Sequence, residues 1–113
     1  MPEILSIENP KAFPTAKRVI QEHGIVVFPT DTIYGIGADA FSTIGISKIY
    51  QVKQRPKDKA LPVLIGDLKQ LDSLILPISE KANRIATAFW PGPLTLIMLK
   101  GPKIPLDLTP YPT

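Results

Sequence analysis

Apolar positions recur with two periods along this chain. Ala16, Val19, Ile20 and His23 follow one helical face, and Gly24 stands where a C-terminal cap is expected. Residues 25–28 form a continuous apolar run that reads as a buried strand, and residues 4–7 as a shorter one. Ser42 can cap a second helix carrying Ile46, Ile49, Tyr50 and Lys53 on one stripe, and Pro56 ends it. Residues 62–65 predict a strand, and Asp67 opens a short helix. Ser79 caps another, with Ala82, Ile85, Ala86 and Phe89 inward, stopped by Trp90-Pro91-Gly92-Pro93. Residues 94–99 predict a last strand. Strands alternate with helices, so the expected class is α/β with parallel pairs in the sheet.

Length bounds this picture: 113 residues make one small domain or part of a larger one. No apolar run approaches the ~20 residues of a membrane span, and the N-terminus lacks the apolar core of a secretory signal. With no cysteine there is neither a disulfide nor a thiolate site, and a cytoplasmic location is expected. Pro102, Pro105, Pro110 and Pro112 crowd the end, so residues 101–113 are expected to form an irregular tail with no closing strand.

The net charge of +3 is unevenly spread. Lys48, Lys53, Arg55, Lys57 and Lys59 gather within twelve residues that hold one acidic side chain, Asp58. Such a patch suits an anionic partner, or is simply a solvated face. Conventional catalytic equipment is scarce. His23 is the only histidine and sits at a helix end, where a structural role is expected. That argues against a Ser-His-Asp triad or a two-histidine metal site. Residues 35–40 match the G-x-G-x-x-A dinucleotide fingerprint, but a polar segment precedes them where a strand should lead straight in. The nicotinamide reading is rejected.

Three segments carry candidate chemistry. Pro29-Thr30-Asp31-Thr32-Ile33-Tyr34-Gly35-Ile36-Gly37 offers hydroxyls, a carboxylate, a phenol and glycine amides at a strand end. It is equally compatible with a turn that bonds its own backbone. Lys53 and Arg55 stand two apart where a helix stops, and at a frayed end they can converge on an anion, Arg as a fork and Lys as a point charge. Lys57 lies outside this pair and reads as solvated. Phe89-Trp90-Pro91-Gly92-Pro93-Leu94-Thr95 is a stiff corner that also suits plain packing between helix and strand.

In this order and spacing, the 29–38 segment, Lys53-x-Arg55-Pro56 and Trp90-Pro91-Gly92-Pro93-Leu94-Thr95 resemble the YrdC-like family of threonylcarbamoyl-AMP synthases, from about residue 7 to residue 98. The resemblance implies a twisted mixed or parallel sheet with flanking helices around a concave cavity, residues 1–113 forming its front part. It implies a nucleotidyltransferase that joins L-threonine, bicarbonate and ATP, with Mg²⁺ accompanying the ATP, into threonylcarbamoyl-AMP and pyrophosphate. Partner proteins would then pass the threonylcarbamoyl group to tRNA. Position by position, it implies Thr30, Thr32 and Tyr34 for L-threonine, Lys53, Arg55 and Lys59 for ATP, and Lys53 and Arg55 as catalytic residues. Leu64 stands where some members carry a threonine-contacting histidine. The family domain continues through a Ser-x-Asn element not found here, so the chain alone is expected to make little adenylate. Two further possibilities are a half-domain that works only with a partner chain and a noncatalytic module for double-stranded RNA or tRNA.

Overall fold

A computed structural model describes residues 2–113. The chain divides into two compact units, the first ending at Lys59 and the second running Ala60–Thr113.

The first unit begins with helix α1, Ala12–Gln21. The expected glycine cap takes a different form. His23, not Gly24, adopts the left-handed conformation, at φ 64°. Gly24 serves close approach instead: its N–H donates to the Val19 carbonyl at 2.8 Å, and a Cβ there would lie 2.6 Å from Val19 Cγ1. Strands β1 (Val26–Pro29) and β2 (Tyr34–Gly37) follow as an antiparallel hairpin, with Phe28 opposite Gly35 and Val27 opposite Ile36. This corrects the expected parallel pairing. Parallel strands need a long crossover, whereas four residues, 30–33, join these two. Nor is β1 buried on both faces: exposure alternates along it, and Val27 is open to solvent.

The close of this unit is helix α2, Thr43–Lys53. Ser42 Oγ accepts the Gly45 N–H at 3.0 Å, as its place before the apolar stripe predicts. Ile46, Ile49 and Tyr50 on that stripe are buried, and Gly45 gives passage to Ala38, 2.9 Å from where a Cβ would stand.

The second unit is built on a 3-10 helix, Leu68–Ser73, and helix α3, Glu80–Phe89. Asp67 and Gln70 form a reciprocal capping box on the first, and Ser79 Oγ accepts the Ala82 N–H of the second. Ala86 is fully buried on α3, while Phe89 is exposed, against expectation. The tail is irregular as read, but it is not loose. Ile104, Leu108 and Thr109 are buried, the Leu61 N–H donates to the Leu108 carbonyl, and Lys100 Nζ donates to the Thr109 carbonyl.

Three predicted strands do not form among the described residues. Residues 4–7, 62–65 and 94–99 have no ladder partner, and only Lys100 makes an antiparallel bridge, to Ile75. Burial alternates along 61–65 and 94–100 as in a half-buried strand, leaving Leu64 and Ile97 79% and 84% exposed. The period is present, but a strand exists only when a second chain segment completes its hydrogen bonds. The overall class remains mixed α/β.

Candidate functional site

All six predicted site residues lie in the first unit, on two features: the hairpin turn and the loop leaving α2.

The hairpin turn is organised by Thr30. Its hydroxyl donates to the Ile33 carbonyl and accepts the Thr32 N–H at 3.3 Å, while its own N–H donates to Ile33 O at 3.2 Å. Thr30 therefore spends its side chain on the turn, which is the self-bonding arrangement weighed from sequence. Thr32 differs: among the described residues its hydroxyl comes no nearer to a partner than Thr30 Oγ1, at 3.5 Å. Thr32 and Tyr34 are both exposed, with Tyr34 opening β2. So the turn presents a hydroxyl and a phenol on a rigid base, with Thr30 as that base. Gly35 and Gly37 are required by close packing across the hairpin. The Phe28 ring lies across them, 3.0 Å from where each Cβ would stand. The G-x-G pair is thus a seat for an aromatic ring inside a strand, which agrees with rejecting the dinucleotide fingerprint.

The end of α2 is closed, not frayed. Gln54 sits in the left-handed region at φ 50°, and the Arg55 N–H returns to the Tyr50 carbonyl at 3.1 Å. This cap turns the chain between Lys53 and Arg55. The expected patch of five cations is also divided. Lys48 Nζ donates to the His23 carbonyl at 3.0 Å, at the C-terminal end of α1, where a cation suits the helix dipole. The Lys57 ammonium lies 5.6 Å from the centre of the Tyr50 ring, so Lys57 is engaged rather than simply solvated. Arg55 Nε and Tyr50 Oη both donate to the Lys59 carbonyl, at 3.3 and 2.7 Å. Lys53 ends α2, and Arg55 and Lys59 lie on the folded loop that follows it.

His23 has the structural role expected of it, its Nδ1 lying 2.8 Å from the capping hydroxyl of Ser42. In the second unit the Trp90 corner is self-contained. Indole Nε1 donates to the Leu94 carbonyl at 2.8 Å, and a Cβ on Gly92 would fall 2.4 Å from the Phe89 carbonyl. That favours its packing role. A groove of about 290 Å³ lined by Leu71, Asp72, Ile75 and Asn83 contains none of the predicted site residues. No helix among the described residues is long and apolar enough to cross a membrane.

The model of the Sua5/YciO/YrdC family, described as telomere recombination, matches residues 18–112. The chain belongs to the Sua5/YciO/YrdC family. Among similar proteins, the threonylcarbamoyl-AMP synthase of Bacillus subtilis is 45% identical over 94 residues, which are 83% of this chain and 27% of that enzyme. A double variant of Pyrococcus abyssi Sua5 superposes with a TM-score of 0.90 at 36% identity, covering 96% of this chain and 33% of that one. P. abyssi Sua5 complexed with L-threonine superposes with a TM-score of 0.79 at 39% identity, over 83% of this chain and 28% of that one. The chain thus spans about a quarter to a third of these Sua5/YciO/YrdC proteins. The mixed α/β class of the first reading is that of this fold.

Proposed function

We propose that this chain supplies the L-threonine- and ATP-contacting part of a threonylcarbamoyl-AMP synthase. The observation that carries it is the likeness to a Sua5 protein complexed with L-threonine, over a stretch that includes most of this chain. The geometry supports the same division of labour. The hairpin turn offers Thr32 and Tyr34 to a small polar ligand, and Thr30 fixes the turn that holds them. The end of α2 and the loop after it offer Lys53, Arg55 and Lys59 to phosphates, where guanidinium and ammonium groups neutralise charge.

In this proposal no side chain acts as a nucleophile. The threonine amine captures bicarbonate-derived carbon dioxide, and the resulting carbamate oxygen attacks the α-phosphorus of ATP. The bond to the β-phosphate oxygen breaks and pyrophosphate leaves. The protein's part is positioning and charge neutralisation, and in this proposal Lys53 and Arg55 perform both. Among the described residues no group of three or more His, Cys, Asp or Glu is assembled to hold a metal. In this proposal Mg²⁺ would accompany the nucleotide. Transfer of the product to tRNA by partner proteins, in the cytoplasm, completes the proposal.

Calorimetric titration of the chain with L-threonine, L-serine and D-threonine tests it. Saturable binding of L-threonine, tighter than of the other two, is expected. Heat no greater than for D-threonine would overturn the assignment of the turn.

A further inference from the structure

Three described tethers of the basic loop end on one residue. Tyr50 is 3% exposed on α2, and three of its parts hold residues 54–59. Its carbonyl accepts the Arg55 N–H at 3.1 Å and so sets the left-handed exit of the helix. Its hydroxyl reaches nine residues on to the Lys59 carbonyl at 2.7 Å. Its ring lies beneath the Lys57 ammonium, 5.6 Å from centroid to nitrogen. Arg55 joins the same knot through Nε, on the carbonyl that Tyr50 already holds.

The combination exceeds what packing alone requires. A buried tyrosine needs one partner for its hydroxyl. Here that partner is the far end of the loop that follows Lys53 and carries Arg55 and Lys59. Like charges on one short loop repel, so an untethered loop would spread and its side chains would have to be ordered by the ligand itself. Tethering before binding removes part of that ordering cost. The ring also holds the Lys57 charge on its own face.

We propose that Tyr50 is a positioning residue that sets the basic loop in the shape that receives the polyphosphate chain of a nucleoside triphosphate. This rests on the reading of the loop as the phosphate subsite.

The test compares Tyr50→Phe, which keeps the ring and deletes the tether, with wild type and with Arg55→Ala. Circular dichroism first establishes that Tyr50→Phe is folded; should it not be, wild-type cleavage after Lys57 and Lys59 is compared with and without inorganic tripolyphosphate, and a loop cut rapidly until tripolyphosphate binds would overturn the tethering. Three readouts follow: trypsin cleavage after Lys57 and Lys59 under native conditions, affinity for ATP and for inorganic tripolyphosphate, and affinity for L-threonine. Loss of one hydrogen bond and of loop order predicts cleavage faster, and ATP and tripolyphosphate binding weaker, by about 3–10-fold each. L-Threonine affinity should not move, which a general loss of structure would not allow. Unchanged cleavage and unchanged ATP affinity in Tyr50→Phe, with ATP binding lost in Arg55→Ala, would overturn the role of Tyr50 alone. Unchanged ATP affinity in both variants would overturn the phosphate subsite and, with it, this role.

Discussion

Thr32→Val is expected to weaken L-threonine binding by about 10–100-fold and to leave ATP affinity nearly unchanged. The substitution keeps the shape of the side chain and deletes its hydroxyl. That hydroxyl makes no described contact shorter than 3.5 Å, so removing it spares the turn. A site that bonds a polar ligand discriminates strongly when the bond is lost, because the ligand group is then desolvated without a partner. Thr30→Val is the informative contrast. Thr30 holds the Ile33 carbonyl and the Thr32 N–H, so its loss should lower stability as well as binding. Calorimetric titration of each variant with L-threonine and ATP, beside thermal unfolding, separates the two. Loss of ATP affinity in Thr32→Val with threonine affinity intact would show the subsites reversed.

Arg55→Ala is expected to weaken ATP binding by about 10-fold or more, as loss of a charge-assisted hydrogen bond does. Lys57→Ala should weaken it far less. Its ammonium is held over the Tyr50 ring, a contact at an exposed site that is worth about 0.5–1 kcal/mol to the loop and nothing directly to the ligand. Nucleotide titration of the two variants decides between them. Equal losses would mean that the loop acts as a diffuse positive surface and not as a built subsite.

The parts of this fold that were legible in the sequence are those whose cause is local. Ser42, Asp67 and Ser79 each bond an N–H a few residues ahead, so their helices could be placed from residue type and spacing. Ile46, Ile49 and Tyr50 needed only the helical period. The strands were different. Residues 62–65 and 94–99 have the right alternation, but pairing is decided by distant segments, and among the described residues no ladder runs along them, although the Leu76 N–H reaches the Leu99 carbonyl. The hairpin was missed because the polar stretch after β1 was weighed as a ligand-facing segment or a self-bonding turn, although residues 30–33 are short enough to return the chain directly. Phe28 opposite Gly35 was the overlooked signal, since a ring beside two alternate glycines suggests cross-strand cover. At the candidate site the charges were visible and their tether was not. Tyr50 looked like one more core residue on its stripe. Its hydroxyl was the clue, because a buried phenol must find an acceptor, and the loop ahead supplies one at Lys59.

The most direct test grafts this chain into a relative. In the Bacillus subtilis synthase, the stretch that matches this chain over 94 residues would be replaced by the corresponding residues of this chain. The chimera would then be assayed for threonylcarbamoyl-adenylate from ATP, bicarbonate and L-threonine. If this chain carries the threonine and ATP contacts, the folded chimera should form the adenylate within an order of magnitude of the parent, and Thr32→Val or Arg55→Ala within the graft should abolish most of that activity. A folded chimera that binds neither L-threonine nor ATP and forms no adenylate would contradict the account.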